Sequence, residues 1–250
     1  AGPNTGISIN DVVYWMGQEN FYLYDGRIQT IPCSVRQYVF DDINRQQSFK
    51  FFAGSLSSNS EVWWYYCSAG SNEIDRYVIY NYLEQTWYYG SLVRTAWMDR
   101  SSGSRLYPQS PGTDGVLYNH EFGLDDGSQT PAVAINAFVQ SSDFDIGDGQ
   151  QFMLINRILP DLNFGQSTAT APEVKFTMGA RNFSGSVAGQ GTASGDVTRT
   201  SVVSGDDNYT NQLHMRLRGR QMNLKIESDT TGVKWRLGAP RLDMRPDGRR

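Results

Sequence analysis

The sequence predicts an all-β protein: incomplete β-propeller-like blades over residues 1–128, a β-sandwich over 129–250, and one short helix. Three observations carry this. Aromatic residues make up 13% of the 250 and glycines number 25, a pairing that suits pleated sheets joined by tight turns. Apolar and polar positions alternate over many short runs, the period of a strand. No run of apolar residues is long enough to span a bilayer as a helix.

The first half reads as antiparallel meanders. Residues 11–16 (DVVYWM) form a strand, 17–20 a turn, and 21–24 (FYLY) the returning strand. Asp25 and Gly26 mark a hairpin, because glycine accepts the positive φ that such turns require. Residues 27–31 complete the set. Over 34–47 the pattern changes: Val35, Tyr38, Val39 and Ile43 recur at three and four, so a short helix is expected with Ser34 as its cap. Strand signals return at 49–53, 61–67, 76–80 and 86–89, separated by polar loops, which amounts to about one propeller blade. Within it, Tyr77 and Ile79 face one way and Val78 and Tyr80 the other, so both faces of that sheet should be buried.

Residues 97–118 contain further strand-like pieces, and the polar, proline-ended stretch 124–131 reads as a domain boundary. Beyond it, strands are expected at 132–139, 151–156, 173–178, 212–218, 221–227 and 233–237. Leu213, Met215 and Leu217 alternate with His214, Arg216 and Arg218, giving one apolar and one polar face, as in a sandwich. The Gly-, Ser- and Thr-rich segment 184–205 reads as a long loop with weak strands.

Composition excludes several classes. Cys33 and Cys67 lack metal spacing and do not make a disulfide framework; they read as two reduced, partly buried thiols, in keeping with assembly in a reducing cytoplasm. The net charge of −4 argues against a dedicated nucleic-acid binder. Charge is nevertheless uneven: acidic residues such as Asp41, Asp42, Glu61, Glu73, Asp75 and Glu84 occupy the first half. Arg216, Arg218, Arg220, Arg241 and Arg245 crowd the end. Such asymmetry fits subunits that meet acidic face to basic face.

Motifs that carry chemistry are scarce. There is no nucleophile elbow, phosphate loop or zinc-ligand pair, and the two histidines, His120 and His214, stand far apart. The glycines of 189–195 lack the spacing and following helix of a dinucleotide loop. Asp143, Asp145 and Asp148, in a glycine-rich turn, form the one candidate metal cluster. They could offer carboxylate oxygens to Ca²⁺, although the spacing departs from an EF-hand and plain β-turns use the same residues. No catalytic or cofactor-binding residue is identified, and the chain reads as a non-enzyme.

Four long phrases carry a resemblance: NFYLYDGRIQTIPCSVRQYVFDDIN (20–44), EVWWYYCSAGSNEIDRYVIYNYLEQTWYYG (61–90), SSDFDIGDGQQFMLINRILPD (141–161) and RLRGRQMNLKIESDTTGVKWRLGAPRLDMRPDGRR (216–250). Together they resemble bacteriophage and prophage virion structural proteins of the tail nozzle (tubular B-like) or packaged-DNA stabilisation type. The resemblance implies a propeller followed by a further β-domain and a place in the short-tail, head-to-tail apparatus. It also implies identical subunits in a six-fold ring, contact with portal, adaptor or other tail proteins, and transient passage of double-stranded DNA. Members of that family are typically longer, so this chain is expected to be the C-terminal part of a larger subunit. Two other readings compete: a receptor- or glycan-binding module stacking sugars on Trp63 and Trp97, and a polysaccharide depolymerase using paired carboxylates.

Overall fold

A computed structural model describes residues 1–101, 103–104, 106–183, 197–204 and 212–248. The protein is nearly all β, with 47% of residues in strands and 5% in helices, arranged as several antiparallel sheets. It divides into two compact units, Ala1–Phe122 and Gly123–Arg250.

The first unit holds two four-stranded meanders. One runs β1 (Gly6–Ile9), β2 (Val12–Met16), β3 (Phe21–Tyr24) and β4 (Ile28–Ile31). Its first hairpin turns on Asn10 and Asp11, both left-handed at φ 49° and 64°. Two consecutive positive φ values match the right-handed twist of the flanking strands, and Asn and Asp tolerate them best after glycine. Gly26, at φ 113°, serves the third hairpin as expected. β1 itself lies in a stretch that reads as a loop at the level of sequence.

Two short helical pieces follow, where a single helix is expected. α1 (Arg36–Asp41) begins after Val35, which makes no side-chain cap, so Ser34 does not cap it. A 3₁₀ helix (Arg45–Lys50) is capped instead by Asn44, whose side chain accepts from the Gln46 N–H at 3.1 Å. The second meander is β5 (Phe52–Leu56), β6 (Glu61–Tyr66), β7 (Arg76–Asn81) and β8 (Thr86–Ser91). Asn81 is buried and ties its two turns together. Its Oδ1 accepts from the N–H groups of Leu83 and Glu84, while its Nδ2 donates to the Asn59 carbonyl at 3.0 Å.

The two meanders share one core. Tyr14, Met16, Phe21 and Ile31 from the first pack with Val62, Trp64, Val78 and Tyr80 from the second. Phe21 lies 4.9 Å from the Trp64 ring and 4.7 Å from Trp87. Trp64 is fully buried, and its indole N–H donates to the Thr5 carbonyl at 2.9 Å. A parallel bridge between Asn4 and Phe52 sets the chain entering β1 beside that entering β5. The innermost strands of neighbouring propeller blades run side by side in this way.

The reverse face of β5–β7 is covered as well, while Tyr88 of β8 on the same face stays exposed. The chain after β8 lays Trp97 across Gly54, and its indole N–H donates to the Ser55 carbonyl at 2.7 Å. This segment includes a small hairpin of β9 (Gln109–Pro111) and β10 (Leu117–Asn119). Tyr77 and Ile79 therefore lie under one cover and Val78 and Tyr80 under the other, as the alternation in the sequence implies.

In the second unit, β11 (Asp125–Asp126) and β12 (Val133–Ala134) form a minimal ladder. One sheet has the order β13 (Ala137–Gln140), β20 (Gln221–Ser228), β17 (Glu173–Arg181) and β18 (Val197–Ser204), with β14 (Phe144–Asp145) also on β20. A second has the order β19 (Leu213–Gly219), β15 (Met153–Leu159) and β22 (Arg241–Pro246). Between them lie Val174, Phe176, Met178, Met222, Leu224 and Ile226, with Met153, Ile155, Ile158, Leu213, Met215 and Leu217. β16 (Leu162–Asn163) and β21 (Arg236–Leu237) pair at the margin.

Expected strands shift in three places. The run 132–139 splits into β12 and β13, and 233–237 shrinks to β21. The third strand of the β15 sheet is β22, which the sequence reading passes over although it too alternates. β18 is a full strand in the segment read as a long loop with weak strands; residues 184–196 and 205–211, with the glycines of 189–195, lie outside the described residues.

β19 and β20 are consecutive yet belong to different sheets. The crossing is Gly219, where an added Cβ would lie 2.9 Å from the Ala180 Cβ and 3.2 Å from the Arg181 backbone.

A Cβ at Gly54 would meet the Trp97 ring at 2.4 Å and its Cβ at 2.9 Å, atoms too near the backbone to swing aside. Gly54→Ala is expected to cost about 1–3 kcal/mol by overpacking, read as a lower urea midpoint. An unchanged midpoint would mean that Trp97 is not clamped there.

Candidate interaction surfaces

The three aspartates of the candidate metal cluster do not converge. Asp143 forms an ion pair with Arg181 and accepts from Asn223 Nδ2 at 3.0 Å. Asp145 lies in the β14 ladder opposite Gln221, and Asp148 is an exposed turn residue with φ 57°. A carboxylate already engaged by a guanidinium is a poor cation ligand. Among the described residues, no group of three or more His, Cys, Asp or Glu side chains is arranged to hold a metal ion.

Trp63 and Trp97, the residues of the sugar-stacking reading, stack on one another. Their centroids are 5.3 Å apart and the rings 14° from parallel, while Tyr77 lies 4.9 Å from Trp63. The Trp63 indole N–H donates to Glu61. With Tyr77 and Trp97 as stacking partners, Trp63 belongs to the packing of the second meander.

A polar cluster that the sequence reading missed lies beneath the same segment. Ser110 is fully buried and hydrogen-bonds His120 Nε2, which also accepts from Arg94 Nε at 3.3 Å. The His120 ring lies 4.7 Å from Trp97, and Arg94 lies over Tyr118 at 4.4 Å. Burial, and secondarily the Arg94 charge, push the His120 pKa down to about 4, so the ring is neutral at physiological pH. The β9–β10 pairing, with the Thr95–Pro111 and Met98–Gln109 backbone bonds, unites these residues, so no local spacing could have announced them. With its serine buried, the cluster acts as a polar clasp for the covering segment. Cys33 and Cys67 are free thiols, and burial raises both to about 11.

Two surfaces are more suggestive. The outward face of β1–β4 is aromatic and open. Register places Trp15 beside Tyr22, stacked at 5.4 Å, and Val13 beside Tyr24 and Ile28. Tyr24 is 46% exposed and Ile28 69%. Each sits on the sheet face opposite the shared core.

The second surface is the outward face of the β19–β15–β22 sheet. The core side of β19 takes Leu213, Met215 and Leu217, which leaves His214, Arg216 and Arg218 outside. Arg157 lies opposite both His214 and Asp243, Leu154 opposite Arg218 and Arg245, and Leu159 opposite Arg241. Arg157 pairs with Asp243 at 3.0 Å and Arg218 with Asp247 at 2.6 Å. Arg218 and Arg220 both lie over the Phe152 ring, at 3.9 and 4.5 Å. Leu154 faces outward yet is only 9% exposed, because the apolar stems of flanking arginines cover it.

No helix among the described residues is long and apolar enough to cross a membrane. No known family model matches the chain, and a search of curated proteins found no match.

With a folded-state pKa near 4, His120 stays neutral over a range in which the unfolded chain's histidine binds a proton. Stability should therefore fall as pH drops from the ordinary histidine range toward 4. Urea midpoints at pH 7 and 4.5 should separate more for the wild type than for His120→Gln, since carboxylate effects are common to both. Equal losses would remove the histidine from the acid response.

Proposed function

We propose that the chain is a structural component of a phage short-tail or head-to-tail apparatus, acting through interfaces between subunits that form a ring around the DNA path. The observation that carries the reading is the open aromatic face of β1–β4. Two successive four-stranded meanders share a core as adjacent propeller blades do. In the second, the aromatic residues of β6 and β7 are covered on both faces, by the first meander on one side and the Trp97 segment on the other, while Tyr88 and Tyr89 of β8 stay exposed. The face bearing the half-buried Trp15 and Tyr22 has the chemistry of such a contact, and its Val13, Tyr24 and Ile28 are exposed among the described residues. Contiguous apolar surface of this kind marks association sites.

The long family-like phrases supply the virion context, and two of them contain β3 with β4 and β6 with β7. In this reading the subunits continue the DNA channel and help retain and then release the genome. A channel serves passage best where its wall does not collect phosphates, which suits the acidic first half.

Native mass spectrometry and negative-stain imaging over a concentration series test the idea. Self-association, reduced about tenfold or more by introducing charge through Tyr24→Glu and Ile28→Glu, is the expected result. A wild-type protein that stays monomeric at the highest concentration would sink it, as would oligomers indifferent to both substitutions.

A further inference from the structure

We propose that the outward face of the β19–β15–β22 sheet binds the phosphate backbone of a nucleic-acid duplex. The inference concerns the second unit alone and stands apart from the assembly reading, which rests on β1–β4.

The face collects five arginines, Arg157, Arg216, Arg218, Arg241 and Arg245, from three strands. Its carboxylates are Asp243 on the sheet and Asp247 just beyond β22, and each is paired with one guanidinium. Both pairs are exposed and therefore weak, so a phosphate can compete for those two arginines. Arg216, Arg241 and Arg245 are exposed and have no hydrogen-bond or ion-pair partner among the described residues. Lysines elsewhere in the unit are differently placed: Lys175 is paired with Asp229 and Lys225 with Glu227, both on the opposite sheet.

Residue type and spacing favour phosphate. A guanidinium presents a rigid planar fork that matches phosphate oxygens, whereas an ammonium acts as a point charge. Side chains two apart on one strand repeat at roughly 7 Å, and strands on either side of β15 lie roughly 10 Å from each other. Arg216 and Arg218 thus form one row, with Arg241 and Arg245 in a second across Leu154 and Arg157. A duplex carries one phosphate per roughly 3.4 Å of axis on each strand, so each two-residue step spans about two phosphates. What the three strands offer is a row of guanidinium groups, and contacts of these with phosphates carry no sequence information.

Fluorescence anisotropy of a labelled 30-base-pair duplex, titrated with the full chain in 50–300 mM KCl, tests this. Binding is expected whose log K falls with log[KCl] with a slope of about −3, one counterion for each unpaired arginine. The triple variant Arg216→Gln, Arg241→Gln, Arg245→Gln should bind at least about tenfold more weakly at 50 mM with an unchanged melting temperature, since all three side chains are exposed. Removing three other exposed charges, with Arg27→Gln, Arg100→Gln and Arg236→Gln, should leave binding within about twofold. Three outcomes would overturn the proposal: no duplex binding at 50 mM salt, equal losses in the two triple variants, or polyglutamate of matched charge competing as well as unlabelled duplex. The last, or salt-sensitive self-association abolished by the first triple variant without any duplex binding, would assign the face to an acidic protein surface.

Discussion

The first unit depends on burying one indole. Trp64 is enclosed between the two meanders, and an N–H in that position must find an acceptor or leave a desolvated donor costing about 1–3 kcal/mol. The Thr5 carbonyl provides it. That same carbonyl accepts from the Met16 N–H, and the Thr5 hydroxyl donates to the Met16 carbonyl at 3.1 Å. The start of β1 is thereby fixed against the end of β2 and the middle of β6 together. From this follow the parallel approach of the chain at Asn4 and Phe52 and the seating of Phe21 between Trp64 and Trp87. Packing and polar satisfaction act on the same atoms, so neither meander can shift without exposing the other.

The second unit is organised differently. Its core is aliphatic and methionine-rich, with Phe176 the one fully buried aromatic among the described residues. Five of its arginines are gathered outward on one sheet, where their stems shield Leu154 while their heads stay in water. The two units therefore present unlike chemistry: an open aromatic face on the first and an open guanidinium face on the second. Surfaces of such contrast favour different partners. The first gains most from excluding water and the second from releasing counterions.

Much of this was legible in the sequence where one period dominated. The alternation in 212–218 and 221–227 placed β19 and β20 within a residue of their ends, and Gly26 announced its hairpin. Where the signal failed, a competing cause can be named. β1 follows a proline- and glycine-containing start that reads as loop, and its pairing is decided by the hairpin at Asn10 and Asp11. The helix expected over 34–47 breaks because Asn44 caps a new turn there. β21 and β22 both alternate, but only the second reaches β15, a choice made by tertiary pairing. The aspartates of 143–148 share a turn in sequence, yet Arg181 and Asn223 draw the first of them onto the neighbouring strands. The alternation of 212–218 already put Arg216 and Arg218 on one polar face, whereas the joining of Arg157, Arg241 and Arg245 to them, like the Ser110–His120 clasp, is a product of tertiary pairing.

Gly219 has a further consequence. At that residue the chain leaves one sheet for the other with no side chain between it and Ala180, so the two layers meet there as pages meet at a spine. Ala180, at that line, is the smallest of the buried residues of β17, and Met178, Phe176 and Val174 follow away from it. Each position along the strand thus has its own tolerance for volume, least at Ala180. A methyl group added at Gly219 has nowhere to go at the spine.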